Sequence, residues 1–177
     1  ALKQKKLWQD TMLIITSDHG DEFFDHGHRF HGKTLYEEMV HVPLLIFMPH
    51  QKGIQVKANI SHRDVVPTIL SQLGLHTSKK FTGYDWSQWL HARSLGRDQL
   101  SPNPEKTVFF EVLPDRNYGK YLVGMRIQHY KMILDVNYNL YELYDLQKDP
   151  REINNIYTIH PQSKIWAEQL AQYANIQ

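Results

Sequence analysis

The sequence predicts an α/β fold whose carboxyl-terminal part is a small antiparallel β-sheet backed by a helix. Three observations predict it. Two short, nearly continuous apolar runs, "TMLIIT" and "VPLLIFM", flank a helical candidate near the amino end. Four β-rich segments then follow one another in the carboxyl half, separated by Asn, Asp, Gly and Pro. The final stretch, Pro161 to Ala174, carries Trp166, Leu170 and Tyr173 at helical spacing.

In order, Thr11 to Thr16 reads as a strand buried on both faces, because polar residues do not alternate with the apolar ones. "KTLYEEMV", Lys33 to Val40, is a short helical candidate, and the run from Val42 is a second buried strand whose Pro43 sits harmlessly at its beginning. In "SHRDVVPTILSQLGL", Val65, Val66, Ile69, Leu70 and Leu73 form an apolar stripe. With Asp64 as N-cap, Pro67 falls in the first turn, and Gly74 supplies the stop. "GYDWSQWLHARSL" is a shorter helix on a loop-rich connection, and "GRDQLSPNPEK" marks a boundary near residue 100. "TVFFEVL", "YLVGMRIQ", "YKMILDV" and "NLYELYDL" are the sheet strands, with "DVNYN" as a hairpin turn. Two domains are expected, 1–100 and 101–177.

Composition narrows the function classes. The chain has 177 residues, 41% hydrophobic and 22% charged, ordinary values for a globular protein. A net charge of +1 with scattered Lys and Arg gives no case for nucleic acid. The apolar runs are too short to span a bilayer. Cysteine is absent, which removes disulfides, thiolate metal sites and cysteine nucleophiles within these residues. The opening "ALKQKKLWQD" lacks the apolar core of a signal peptide and reads as the last turn of a helix feeding a strand, so a chain beginning in mid-domain is expected.

The chemistry concentrates after the first strand. In open α/β sheets ligands sit beyond the carboxyl ends of strands, and there "TSDHGDE" places Asp18, a hard oxygen ligand, beside His19, a nitrogen ligand. Such a pair suits a divalent ion, although two ligands alone do not make a site. Asp21 and Glu22 are read as loop or supporting residues. "DHGHRFHGK" then supplies His26, His28, His31 and Lys33, whose N–H groups can donate to the anionic oxygens of a sulfate or phosphate ester.

The run "LWQDTMLIITSDHGDEFFDHGHRFHGKTLYEEMVHVPLLIFMP", the helix "SHRDVVPTILSQLGL" and the ending "YKMI…ELYDLQKDPREINN" closely resemble, in the same order, the sulfatase family of the alkaline phosphatase superfamily. The resemblance implies a partial alkaline-phosphatase-like α/β sandwich followed by the small sheet. It implies that Asp18 and His19 are half of a divalent-metal site, most often for Ca2+, with Mg2+, Mn2+ or Zn2+ as alternatives. It implies a formylglycine nucleophile made from a Cys/Ser-x-Pro/Ala-x-Arg motif upstream; that motif is absent from these residues. Lys33 matches the sulfate-binding Lys, although many members place it one residue earlier, where Gly32 stands. His31 resembles a phosphate-contacting His of the phosphoethanolamine-transferase branch. Lys33 and His31 are therefore the catalytic and substrate-binding candidates, with His28 as a further substrate contact.

The expectation is thus the carboxyl-terminal portion of a metal-dependent sulfatase, inactive by itself because its nucleophile and other ligands lie elsewhere. Two alternatives are a phosphoryl or phosphoethanolamine transferase or phosphodiesterase on the same scaffold, and a non-catalytic binding domain. Expected partners are a sulfate or phosphate ester and the amino-terminal half of the same domain, with a dimer as another way of hiding the exposed sheet edge. The compartment is not readable from these residues; export, a periplasmic location or an upstream membrane anchor is the family's pattern.

Overall fold

The structure, a computed structural model, describes residues 1–51, 53–76, 78, 80–95, 106–114 and 119–176. The residues sort into two compact units, Ala1–Ile15 with Leu44–Lys106, and Thr16–Pro43 with Thr107–Gln177. In this division the loop after the first strand groups with the carboxyl-terminal sheet. The boundary segment around residues 96–105 lies outside the described residues.

In the first unit, a 3-10 turn, Trp8–Asp10, leads into β1, Leu13–Thr16, which pairs with β4, Leu44–Phe47. The two strands are where the apolar runs place them, but they are not buried on both faces. Leu13, Ile15, Leu45 and Phe47 are 36%, 54%, 57% and 38% exposed. An apolar run reports what a strand can bury, not whether a covering layer lies in the same chain.

Helix α2, His62–Gln72, starts one turn earlier than Asp64 suggests. Ser61 is the N-cap, accepting from the Arg63 N–H, and Asp64 is the third helical residue, closing a capping box on the Ser61 N–H at 3.0 Å. Pro67 therefore lies inside the helix rather than in its first turn. Its missing N–H leaves the Arg63 carbonyl without its helical donor, and the backbone of Gly83 packs against that carbonyl so closely that a Cβ would lie 1.7 Å from it. The expected stripe is only partly buried, with Val66 and Leu73 exposed. The buried positions are Asp64, Pro67 and Thr68, because Asp64 is a polar hub. Its carboxylate also accepts from the Tyr84 N–H at 2.7 Å, the Trp86 Nε1–H at 3.1 Å and the Lys106 ammonium. Burial alone would raise its pKa, but Lys106 and these N–H groups hold it below the ordinary value. Helix α3, Ser87–Ser94, follows, and its Ser87 carbonyl accepts from Gln72 at 3.2 Å.

The second unit is built on a four-stranded antiparallel sheet, β5 (Val108–Val112), β6 (Leu122–Ile127), β7 (Tyr130–Asp135) and β8 (Leu140–Asp145), in that spatial order. The β7–β8 hairpin closes at Asp135 opposite Leu140, where the Asp135 carboxylate accepts from the N–H of Asn137 and of Tyr138. One face carries Val123, Met125, Met132, Leu134 and Leu143, covered by Ala167 and Leu170 of helix α4, Ser163–Ile176. Each such buried side chain contributes about 1.5 to 3 kcal/mol of transfer free energy. Leu122, Ile133 and Tyr144 share the other face with Leu35. That second face is why Thr16–Pro43 belongs with the sheet. Within this segment lie the hairpin strands β2, Glu22–Phe23, and β3, Arg29–Phe30, and the single turn α1, Glu37–Val40.

The segment is fastened by charge as well as by Leu35. Lys131 is fully buried in β7, and its ammonium bridges the Glu37 carboxylate at 3.3 Å and the Glu152 carboxylate at 2.9 Å. Arg126 holds the other oxygen of Glu37 at 2.8 Å, and the Glu37 N–H donates to Glu152 at 2.6 Å. The Tyr36 hydroxyl donates to Glu142 at 3.0 Å. Among the described residues no helix is long and apolar enough to cross a membrane.

Candidate functional site

The loop from Thr16 to Pro43 carries every residue the sequence singles out. It leaves the end of β1 and returns along α1, where the Gly20 N–H donates to the Met39 carbonyl at 2.9 Å. Gly20 is required by proximity: a Cβ there would sit 1.9 Å from the Glu38 carbonyl oxygen. The left-handed conformations fall later, at Phe24, Gly27, Phe30 and Gly32.

Asp18 and His19 are adjacent and exposed. The Asp18 carboxylate accepts from the His19 N–H at 3.0 Å, and this bond is the main reason its pKa is lowered. The His19 ring approaches the Gly20 carbonyl through Nδ1 at 2.9 Å. A carbonyl can only accept, so Nδ1 carries a hydrogen, and in the neutral ring Nε2 is the nitrogen with the lone pair. That Nε2 lies 3.7 Å from the second Asp18 oxygen. One ion at about 2.0 to 2.4 Å from each ligand can bridge such a gap. The pair fits a divalent cation, as two ligands of a set that needs more.

His31 stands beside this pair, its ring centroid 4.3 Å from that of His19. Its Nδ1 meets the Asp21 carboxylate at 2.8 Å. His28 and Lys33 form a second group. Burial lowers the His28 pKa, and the nearby charges of Lys120 and Lys33 lower it further. The neutral form of the His28 ring is thus favoured, and the positive charge of the two lysines that act on it suits an anion.

Sequence reasoning singles out Asp18, His19 and His31 but misses Lys120 and gives His26 the wrong partners. Asp21, read as a supporting residue, accepts from His31 and lies in the same cluster as His19. Lys120 comes from far along the chain, and no local pattern marks it. His26, grouped with the ester-binding donors, is instead a structural clamp. Its Nδ1 meets Glu38 at 2.5 Å, its Nε2 meets the Arg151 carbonyl at 3.0 Å, and its ring stacks on Tyr36 at 3.7 Å. Both nitrogens face acceptors, so the imidazolium satisfies both. Burial opposes that charge, but Glu38 outweighs it and the pKa is raised. Buried Glu22, which accepts from Thr34, has its pKa raised by burial and by Glu38.

The geometry can be set beside known proteins. Residues 1–75 match the sulfatase family model. Human arylsulfatase K is 30% identical over 165 residues, covering 92% of this chain and 30% of that protein. The matches are to the sulfatase family. The chain spans about 30% of the length of the curated relatives it matches. Among solved structures, a 2-O GAG sulfatase superposes with a TM-score of 0.74 at 27% identity, over 97% of this chain and 38% of that one. The phosphonate monoester hydrolase of Agrobacterium radiobacter gives the same TM-score of 0.74 and 27% identity, over 97% of this chain and 36% of its own. The fold is accordingly part of an alkaline-phosphatase-like α/β protein, with the small antiparallel sheet and its helix at the carboxyl end.

Proposed function

We propose that the parent protein of this chain hydrolyses sulfate esters with the help of a divalent metal ion, most often Ca2+ in this family, held in part by Asp18 and His19. The observation that carries the reading is the Asp18 carboxylate 3.7 Å from a lone-pair-bearing His19 Nε2 at the end of β1. When bound, such an ion neutralises ester oxygens and lowers the pKa of a nucleophile. The chain's own residues do the rest. Lys33 brings positive charge to the ester oxygens, and His28 offers an N–H from the same group. His31, oriented through Nδ1 by Asp21, presents Nε2 to the reacting group, where it can hold or deliver a proton. The nucleophile, expected as formylglycine, and the remaining ligands belong to other parts of the parent, so this chain alone is expected to turn over no substrate.

The likeness to a phosphonate monoester hydrolase favours phosphoryl chemistry as the second reading. The full-length parent, assayed on paired aryl sulfate and aryl phosphate, separates the two. Sulfate is expected to be preferred, and Asp18→Ala to reduce turnover at least 100-fold, about 2.7 kcal/mol of transition-state stabilisation. A preference for phosphate, or an Asp18→Ala variant as active as the wild type, overturns the reading.

A further inference from the structure

We propose that His19, Asp21 and His31 together form a binding site for a zinc-class divalent cation, distinct in its donor set from the Asp18–His19 pair. Each of the three residues offers one ligand atom, and these atoms lie within 4.8 Å of one another. All three come from one loop of one compact unit, and all are exposed. An ion can therefore reach them, and their side chains can adjust.

The chemistry of the set selects the ion. Two imidazoles and one carboxylate make up the donor set of a three-ligand zinc site that keeps its fourth position open. Ca2+ takes six to eight oxygens and gains little from imidazole. The two rings are already prepared. The Gly20 carbonyl fixes the hydrogen of His19 on Nδ1, which leaves Nε2 as a ligand atom. His31 and Asp21 converge at 2.8 Å with a hydrogen between them. A metal ion can take the place of that hydrogen, or it can bind the outer nitrogen of His31 while Asp21 orients the ring from behind. Tetrahedral zinc needs ligand atoms about 3.3 Å apart, so closure from 4.8 Å or less asks only for side-chain rotation.

The inference deepens the sulfatase reading, since it shares His19 with the proposed Asp18 pair and His31 with the proposed ester contact. An ion in this cluster draws both residues from those roles, so zinc acts there as an inhibitor and not as the working metal.

The test is calorimetric titration of the chain with ZnCl2 and separately with CaCl2, using wild type, Asp21→Asn, His31→Ala and Asp18→Asn. Circular dichroism checks that each variant keeps its fold. One zinc per chain is expected for wild type, weakened at least 10-fold by Asp21→Asn and by His31→Ala. Asp18→Asn should change it less than 2-fold, and the CaCl2 titration should show far weaker binding, since calcium gains little from imidazole. No zinc binding, or unchanged binding in both Asp21→Asn and His31→Ala, overturns the inference and leaves the sulfatase reading standing. Loss in Asp18→Asn alone assigns zinc to the Asp18–His19 pair and also overturns it. A parent without sulfatase activity would remove the inhibitory role but not the zinc result.

Discussion

Replacing Lys131 by Met keeps the bulk of the side chain and removes its charge at the centre of the network that fastens the site loop. The ammonium is fully buried, and its two carboxylate partners are nearly so, with Glu152 at 1% and Glu37 at 18% side-chain exposure. Breaking a buried ion pair by deleting one partner costs about 3 to 5 kcal/mol, since the other charge is left unpaired. Glu37 keeps Arg126 at 2.8 Å, so the loss falls mainly on Glu152, and a value near the lower end, about 3 kcal/mol, is expected. For a chain of this size that corresponds to a fall in Tm of roughly 6 to 12 °C.

The pH dependence gives a second signature. Burial raises the Glu152 pKa more than Lys131 lowers it. At Glu37 burial is outweighed by Lys131 and Arg126, and the pKa is lowered. Stability from Glu37 is therefore present above its unfolded value near 4.5 and is lost as pH falls through its lower folded value. Glu152 has the opposite sign, costing stability as pH rises from 4.5 towards its raised value. With Lys131 gone, both carboxylates are easier to bury protonated, so the deficit of the variant should shrink below pH 4.5. Thermal unfolding followed by circular dichroism between pH 4 and pH 8 measures both. A fall in Tm below about 2 °C at neutral pH, or a deficit that grows on acidification, would refute the reasoning.

Two further perturbations probe the same loop. His26→Ala removes a ring with hydrogen bonds to Glu38 and to the Arg151 carbonyl and should cost about 1 to 3 kcal/mol. Because the His26 pKa is raised above 6.5, its contribution is complete below that value and is lost as pH rises through the folded one. Urea unfolding at pH 5.5 should then show a larger gap between variant and wild type than at pH 8.5, and equal gaps would contradict the imidazolium clamp. Gly20→Ala places a Cβ 1.9 Å from the Glu38 carbonyl oxygen. The strain should lower stability by about 1 to 3 kcal/mol; a wild-type Tm would show that the close approach is not maintained.

The sheet and its helix were legible because their signals are local. Val123 and Met125, like Met132 and Leu134, stand two apart on one strand as residues of one sheet face must, and Trp166, Leu170 and Tyr173 repeat as one helix face. Helix α2 was legible in place but not in phase. The Ser61 cap and the Asp64 capping box were both present in the sequence, yet the apolar stripe drew attention from the buried hub on Asp64. Asp18, His19, His31 and Lys33 announced themselves by residue type. Lys120 did not, because what marks it is its charge acting on His28, far away in sequence. Lys131 was the least legible, since a lysine in an apolar run reads as solvent-facing until Glu37 and Glu152 are known to meet it.

The fastenings of the site loop also set an order in time. His26 meets a carbonyl 125 positions downstream, Glu37 a carboxylate 115 positions downstream and Tyr36 one 106 positions downstream. During synthesis at about 5 to 20 residues per second, the loop emerges and then waits roughly 6 to 25 seconds before Arg151 and Glu152 exist to receive it. Through that interval His26, Leu35 and Tyr36 have no finished partners to pack against. The loop is made before its partners and settles after them, and nascent chains stalled before residue 150 should leave this loop open to protease while longer ones protect it.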